Sequence, residues 1–140
     1  MAVNKNKQKQ ASSVVLPQLQ FAVLCDGATA PDQRGKISLV GIFDRFLRIG
    51  IIPHFSLVLG WKNGKGKFSR KVRFLDPDLK QIFETPEMEI KLEHETSGAR
   101  EILNIDGINL QKTGVYWIEI ILEKETVLSI PIAAGEEKTS

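Results

Sequence analysis

The stretch GKISLVGIFDRF, Gly35 to Phe46, decides the reading of the fold, together with FAVLCD, Phe21 to Asp26, just before it. Ile37, Leu39, Gly41 and Phe43 alternate with Ser38, Val40, Ile42 and Asp44. A period of two, rich in β-branched and aromatic residues, specifies a strand. Both faces are largely apolar, which predicts a central strand of a packed sheet, with Gly41 allowing close approach or a bulge.

The pattern repeats on both sides of this stretch. Gln20 to Cys25 is a strand that a turn-rich connection through Asp26-Gly27 and Pro31-Asp32 joins to Gly35. Phe46 to Ile52, interrupted by Arg48 and Gly50 and closed by Pro53, reads as a loop or irregular edge. His54 to Trp61 carries Phe55, Leu57, Leu59 and Trp61 on one face. Asn63-Gly64 then predicts a type I′ hairpin, because both central positions of that turn need positive φ. Phe68 to Leu75 returns with Phe68, Val72 and Phe74 inward, and Asp76-Pro77-Asp78 closes it. Met88 to Glu95 is a half-buried strand, and a weaker one surrounds Ile102 to Ile105. Tyr116, Ile118, Ile120 and Leu122 face Leu128, Ile130 and Ile132 in a final hairpin, where Pro131, lacking an N–H, predicts an edge.

About seven or eight strands without an amphipathic helix predict an all-β fold. The specific expectation is a two-sheet antiparallel β-sandwich of immunoglobulin-like or related Greek-key topology, with a closed barrel as the lesser alternative. The expected division is a disordered arm over 1–18, the sandwich domain over 19–133 and a disordered tail over 134–140.

Composition agrees with one globular domain: 140 residues, 42% apolar and 26% charged. The net charge of +2 is too small to indicate nucleic-acid binding. Its distribution is uneven: through Lys80 the chain has fourteen Lys and Arg against five Asp and Glu, and after it five against twelve. If the halves occupied different surfaces, the molecule would be dipolar. A lone Cys25 excludes an intrachain disulfide, and no apolar run approaches the length of a membrane helix, so a soluble, cytoplasmic protein is expected.

Chemistry-bearing residues are few. Cys25, His54 and His94 are widely separated, with none of the spacings of a metal site, so no metal or other cofactor is expected. His94 continues the inward phase of its strand and reads as a hydrogen-bonded core or rim residue. Cys25, in phase with Phe21 and Val23, reads as a small buried hydrophobe. Asp26, Asp44 and Arg45 stand at strand ends. Carboxylates there usually cap turns, and acid–base work would require two of them to converge on a cleft. Lys62, Lys65, Lys67 and Arg70, with Lys71 and Arg73, read as a basic patch for a weak anionic partner, without the aromatic interleaving of a nucleic-acid site. Trp117 stands opposite the inward phase of its strand, where exposure with Ile121 would mark a protein contact or a further packing layer.

FAVLCDGA (Phe21 to Ala28), GKISLVGIFDRF and Pro53 together resemble a bacterial family of small uncharacterised proteins. That family has an LCD strand, then a GK-S-hydrophobic-hydrophobic-G-hydrophobic-FD strand and a proline. Asp76-Pro77, Gly114-Val115-Tyr116 and Ile130-Pro131 match it further along, and the likeness spans Leu19 to Ile132. Thr113 stands where family members often have proline, which alters turn stiffness more than topology. The resemblance implies the all-β fold and brings no activity, cofactor or catalytic residue. The function expected from the residues is a non-enzymatic binding module with a protein partner or self-association. A ligand site or enzyme near Asp26, Asp44 and Arg45 is one alternative, and an assembly subunit using a sheet edge or face is another.

Overall fold

The apolar alternation is realised as ten strands in the computed structural model, which describes residues 14–135. In chain order they are β1 (Gln18–Ala28), β2 (Leu39–Phe43), β3 (Arg45–Phe46), β4 (Gly50–Lys62), β5 (Gly66–Leu75), β6 (Gln81–Glu84), β7 (Met88–Leu92), β8 (Gly98–Leu110), β9 (Gly114–Leu122) and β10 (Glu125–Ala134). No helix occurs among the described residues. One sheet has the order β2-β1-β4-β8, and the other β3-β10-β9-β5-β6, with β7 also on β5. Pairing is antiparallel except between β3 and β10. The fold is therefore all-β, with two open sheets. Residues 1–13 and 136–140 of the expected arm and tail lie outside the described residues; Val15 bridges Lys65, and Gln18 opens β1.

One core joins the sheets. Phe55, Leu57, Leu59 and Trp61 of β4 face it, as do Phe68, Val72 and Phe74 of β5 and Tyr116, Ile118, Ile120 and Leu122 of β9. These are the phases that alternation predicts. In β4 and β8 the phase changes where Pro53 lies opposite Gly107: Phe55 and Ile105 face the core on one side of that point, Ile52 and Ile108 on the other. Pro53 thus sits inside β4 instead of ending a loop. β3 covers β10 only at Ala133 and Ala134, so the edge around Pro131 is free, as its missing N–H predicts.

Three local expectations are corrected. GKISLVGIFDRF is no central strand: β2 is a short edge strand, Val40 and Ile42 face solvent, and the chain leaves for the other sheet at Asp44. Asn63-Gly64 does not turn a hairpin, because β4 and β5 belong to different sheets. Asn63 has φ 63°, but Gly64 is needed for space: a Cβ there would lie 2.6 Å from Pro17. The type I′-like turn is instead at Glu123-Lys124, with φ 51° and 74° and neither residue a glycine. His94 lies exposed in the turn before β8, its ring hydrogen-bonded to Thr96 Oγ1 at 2.7 Å.

Arg70 is also misread by the basic-patch expectation. It shares the inward phase of Phe68 and Val72 and is only 4% exposed. Its Nε donates to both Glu101 oxygens at 2.9 and 3.0 Å, and Nη2 donates to Glu101 Oε1. Trp61 Nε1 donates to Glu101 Oε2 at 2.9 Å. Arg70 belongs to β5 and Glu101 to β8, so the ion pair crosses between the sheets. Beside it, Thr85 holds the break between β6 and β7: its N–H donates to Val72 O at 2.9 Å, and its Oγ1 accepts from Val72 N at 3.0 Å.

Three more bases of the patch meet acids from the second half of the chain: Lys67 with Glu89 at 3.9 Å, Lys71 with Glu84 at 3.7 Å and Arg73 with Glu119 at 2.6 Å. With Arg70 and Glu101, these pairs join part of the basic first half of the sequence to its acidic second half.

The turn between β5 and β6 gives a pH-dependent test. Asp76 Oδ1 accepts from the N–H groups of Lys80 at 2.9 Å and Asp78 at 2.8 Å, with Lys112 nearby at 3.8 Å. The Lys80 hydrogen bond foremost, then that of Asp78 and the Lys112 charge, hold the Asp76 carboxyl below its ordinary value of 3.8. A group lowered on folding stabilises above its unfolded pKa, and the benefit fades as pH falls through the folded value. Asp76→Asn should therefore narrow the gap in urea stability between pH 7 and pH 3 relative to the parent protein. Equal losses in both proteins would contradict this.

Candidate functional site

The crossing of the chain from β2 to β3 and back to β4 builds a cleft of about 550 Å³ at one end of the molecule. Its floor is aromatic. Phe43, Phe46 and Phe55 come from three strands and both sheets, with ring centroids 5.3 Å apart for Phe43–Phe46 and 5.2 Å for Phe46–Phe55. The series continues through Phe55–Phe74 at 6.0 Å and Phe74–Phe83 at 5.8 Å. Tilted and edge-on rings at such distances attract beyond area burial, by about 0.5–1.5 kcal/mol per pair.

The walls are set by local backbone constraints. Gly41 has φ 70°, and a Cβ there would fall within the Asp26 carboxyl group, which lies directly over it. Asp44 is exposed where β2 ends, and its carboxylate has no hydrogen-bond partner among the described residues. Arg45 pairs with Ala133, and its Nη2 donates to Gly135 O at 2.9 Å, while Gly135 N donates to Phe46 O at 3.0 Å. Arg45 thus anchors the end of β10. Arg45 Nε is buried without a partner among the described residues. Arg48 and His54 complete the polar lining, and His54 Nδ1 lies 2.5 Å from Asp106 Oδ1.

Asp26, Asp44 and Arg45 therefore share one cleft, whereas the other candidates do not join them. Lys62 is exposed at the end of β4, Lys65 bridges Val15, Lys67 meets Glu89 and Arg70 is buried. Trp117 is half-buried on the outward face of β9, between its cross-strand neighbours Leu75 and Pro131. No group of three or more metal-ligating side chains is found among the described residues. Cys25 is fully buried, and burial pushes its thiol up.

A family model for a family of unknown function (DUF6941) matches residues 20–135. The chain belongs to this family. The DUF6941 match takes in both sheets and every residue of the cleft. No curated protein matches the chain.

Sequence reasoning missed Leu47, Arg48, Ile51 and His54 as cleft residues. The available signal is the alternation of Leu47, Ile49 and Ile51 with Arg48 and Gly50, a strand-like pattern that the interruptions disguise as an irregular edge. The Gly41 contact supplies a test of the cleft wall. Gly41→Ala must place a side chain at positive φ and displace Asp26, and should lower stability by about 2 kcal/mol. Chemical denaturation measures it, and a loss under about 0.5 kcal/mol would show that the wall is not so constrained.

Proposed function

We propose that this chain is a non-enzymatic binding module, a β-sandwich of Greek-key type that presents its β2–β4 end to an extended segment of a protein partner. One observation carries this reading: Ile42, Leu47 and Ile51 are 67%, 67% and 69% exposed around the aromatic floor. Apolar surface of this kind beside a cleft is expensive to leave in water and is typical of contact sites. Two acids, Asp26 and Asp44, and two bases, Arg45 and Arg48, line the same cleft and would orient a partner's backbone or side chains.

The sandwich part of the reading draws on the way successive segments alternate between the sheets. It also draws on Tyr116, whose hydroxyl donates to Lys112 O at 2.6 Å and accepts from Lys112 N at 3.2 Å. A tyrosine bonded back to the backbone just upstream is a corner device of Greek-key sandwiches. A cytoplasmic setting, suggested by the single unpaired cysteine, belongs to the same reading.

The convergence of Asp26, Asp44 and Arg45 favours a second reading, a small-ligand carrier or enzyme, and one experiment separates the two. Isotope-labelled protein is titrated, by NMR, with a panel of short extended peptides bearing bulky aliphatic residues and with a set of small-molecule fragments. The peptides should shift the amides of Gly41, Leu47 and Ile51, and Leu47→Asp should abolish the shifts with little change in Tm. Shifts with the fragments alone would favour the second reading. No shifts, or shifts elsewhere, would overturn the proposal.

A further inference from the structure

The face of the β2-β1-β4-β8 sheet that points away from the core carries an apolar patch among polar side chains. Cross-strand register places Val23, Val58 and Ile102 in one row across β1, β4 and β8, and Cys25, Ser56 and Asn104 in the next. An uncovered outer face leaves its central side chains partly wet. Here Cys25, Ser56 and Val58 are each 0% exposed.

Two groups are placed over this face: the Phe21 ring, which occupies the space above Gly60, and the arm joining β1 to β2, residues 29–38, which is hydrogen-bonded across to β8. At the tip of the arm, Gly35 O accepts a hydrogen bond from the guanidinium of Arg100, which lies on the outward face of β8. β8 is two strand positions from β1, about 10 Å at ordinary spacing. The tip therefore reaches across the outward face of β4, the strand that carries the dry side chains of Ser56 and Val58. The arm is held together from within. Thr29 N donates to Ser38 O at 2.9 Å, and Ser38 N donates back to Thr29 Oγ1 at 3.1 Å. Asp32 Oδ1 accepts from Arg34 N at 2.8 Å and Lys36 N at 2.9 Å. No described hydrogen bond other than that of Arg100 ties the arm to the rest of the sheet.

We propose that residues 29–38 form a hinged strap over this patch, latched at the tip by Arg100 and able to lift as a unit while both sheets stay folded. Internal hydrogen bonds keep the strap intact when it lifts, and a single latch sets how often it does so. Lifting uncovers Cys25, Ser56 and Val58 together. This device is independent of the cleft reading.

Cys25, the sole cysteine, reports the motion directly. The rate of its alkylation by iodoacetamide is measured on the full chain, at reagent concentrations where rate is linear in reagent. Arg100→Ala should raise the rate about tenfold, the effect of losing one charge-assisted hydrogen bond, with the global unfolding midpoint nearly unchanged. Arg100→Lys, which can still donate, should restore much of the protection. An unchanged rate in Arg100→Ala overturns the strap. If that variant loses global stability in proportion, hydrogen exchange on the parent protein decides. Arm amides exchanging together, with less denaturant dependence than global unfolding, support the proposal. Exchange only through global unfolding overturns it.

Discussion

The buried ion pair between Arg70 and Glu101 is the constraint on which the arrangement of the two sheets depends. A guanidinium and a carboxylate taken out of water are each costly, and either alone would be costlier still. Arg70 Nη2 donates to Glu101 Oε1, Arg70 Nε to both carboxylate oxygens, and Trp61 Nε1 adds a third donor at Oε2. A slide of β5 past β8 by one residue would separate the charges inside the core. Apolar contacts are non-directional and tolerate such slides better. The pair therefore contributes register more than net stability, in keeping with the near balance of desolvation and attraction for buried ions.

With that register set, the aromatic series falls into place. Phe55 of β4 meets Phe46 of β3 and Phe74 of β5, both in the other sheet. The cleft floor is thus continuous with the core, and its walls need only short segments: a two-residue strand anchored by Arg45 to Gly135, and an edge strand with Asp26 folded over Gly41. Rigid floor and exposed aliphatic rim follow from one crossing of the chain between sheets.

The legible and illegible parts of the fold divide on physical lines. Alternation reports which face of a strand is buried, so the inward residues of β4, β5 and β9 were readable, and so was the all-β class. Alternation does not report which sheet a strand joins. For that reason Asn63-Gly64 resembled a hairpin although its strands part company, and the stretch from Gly35 to Phe46 resembled a central strand although Val40 and Ile42 are exposed. Glu123-Lys124 turns a hairpin with no glycine to signal it, because the pairing of β9 with β10 over nine residue pairs outweighs two strained φ angles. Arg70 was readable in principle, since its position matches Phe68 and Val72; a cluster of basic residues in the sequence hid it. Of the site, Asp26, Asp44 and Arg45 were singled out from strand ends, but the residues that shape the cleft around them depend on contacts distant in sequence.

The most direct test of the ion pair's role is a double-mutant cycle on unfolding free energy with Arg70→Met and Glu101→Leu. Each single change leaves one charge buried without its partner and should cost about 3–5 kcal/mol, while the double change recovers most of that loss. Single costs below about 1 kcal/mol that simply add would contradict the account, because the two charges would then not be holding each other, or the sheets, in place.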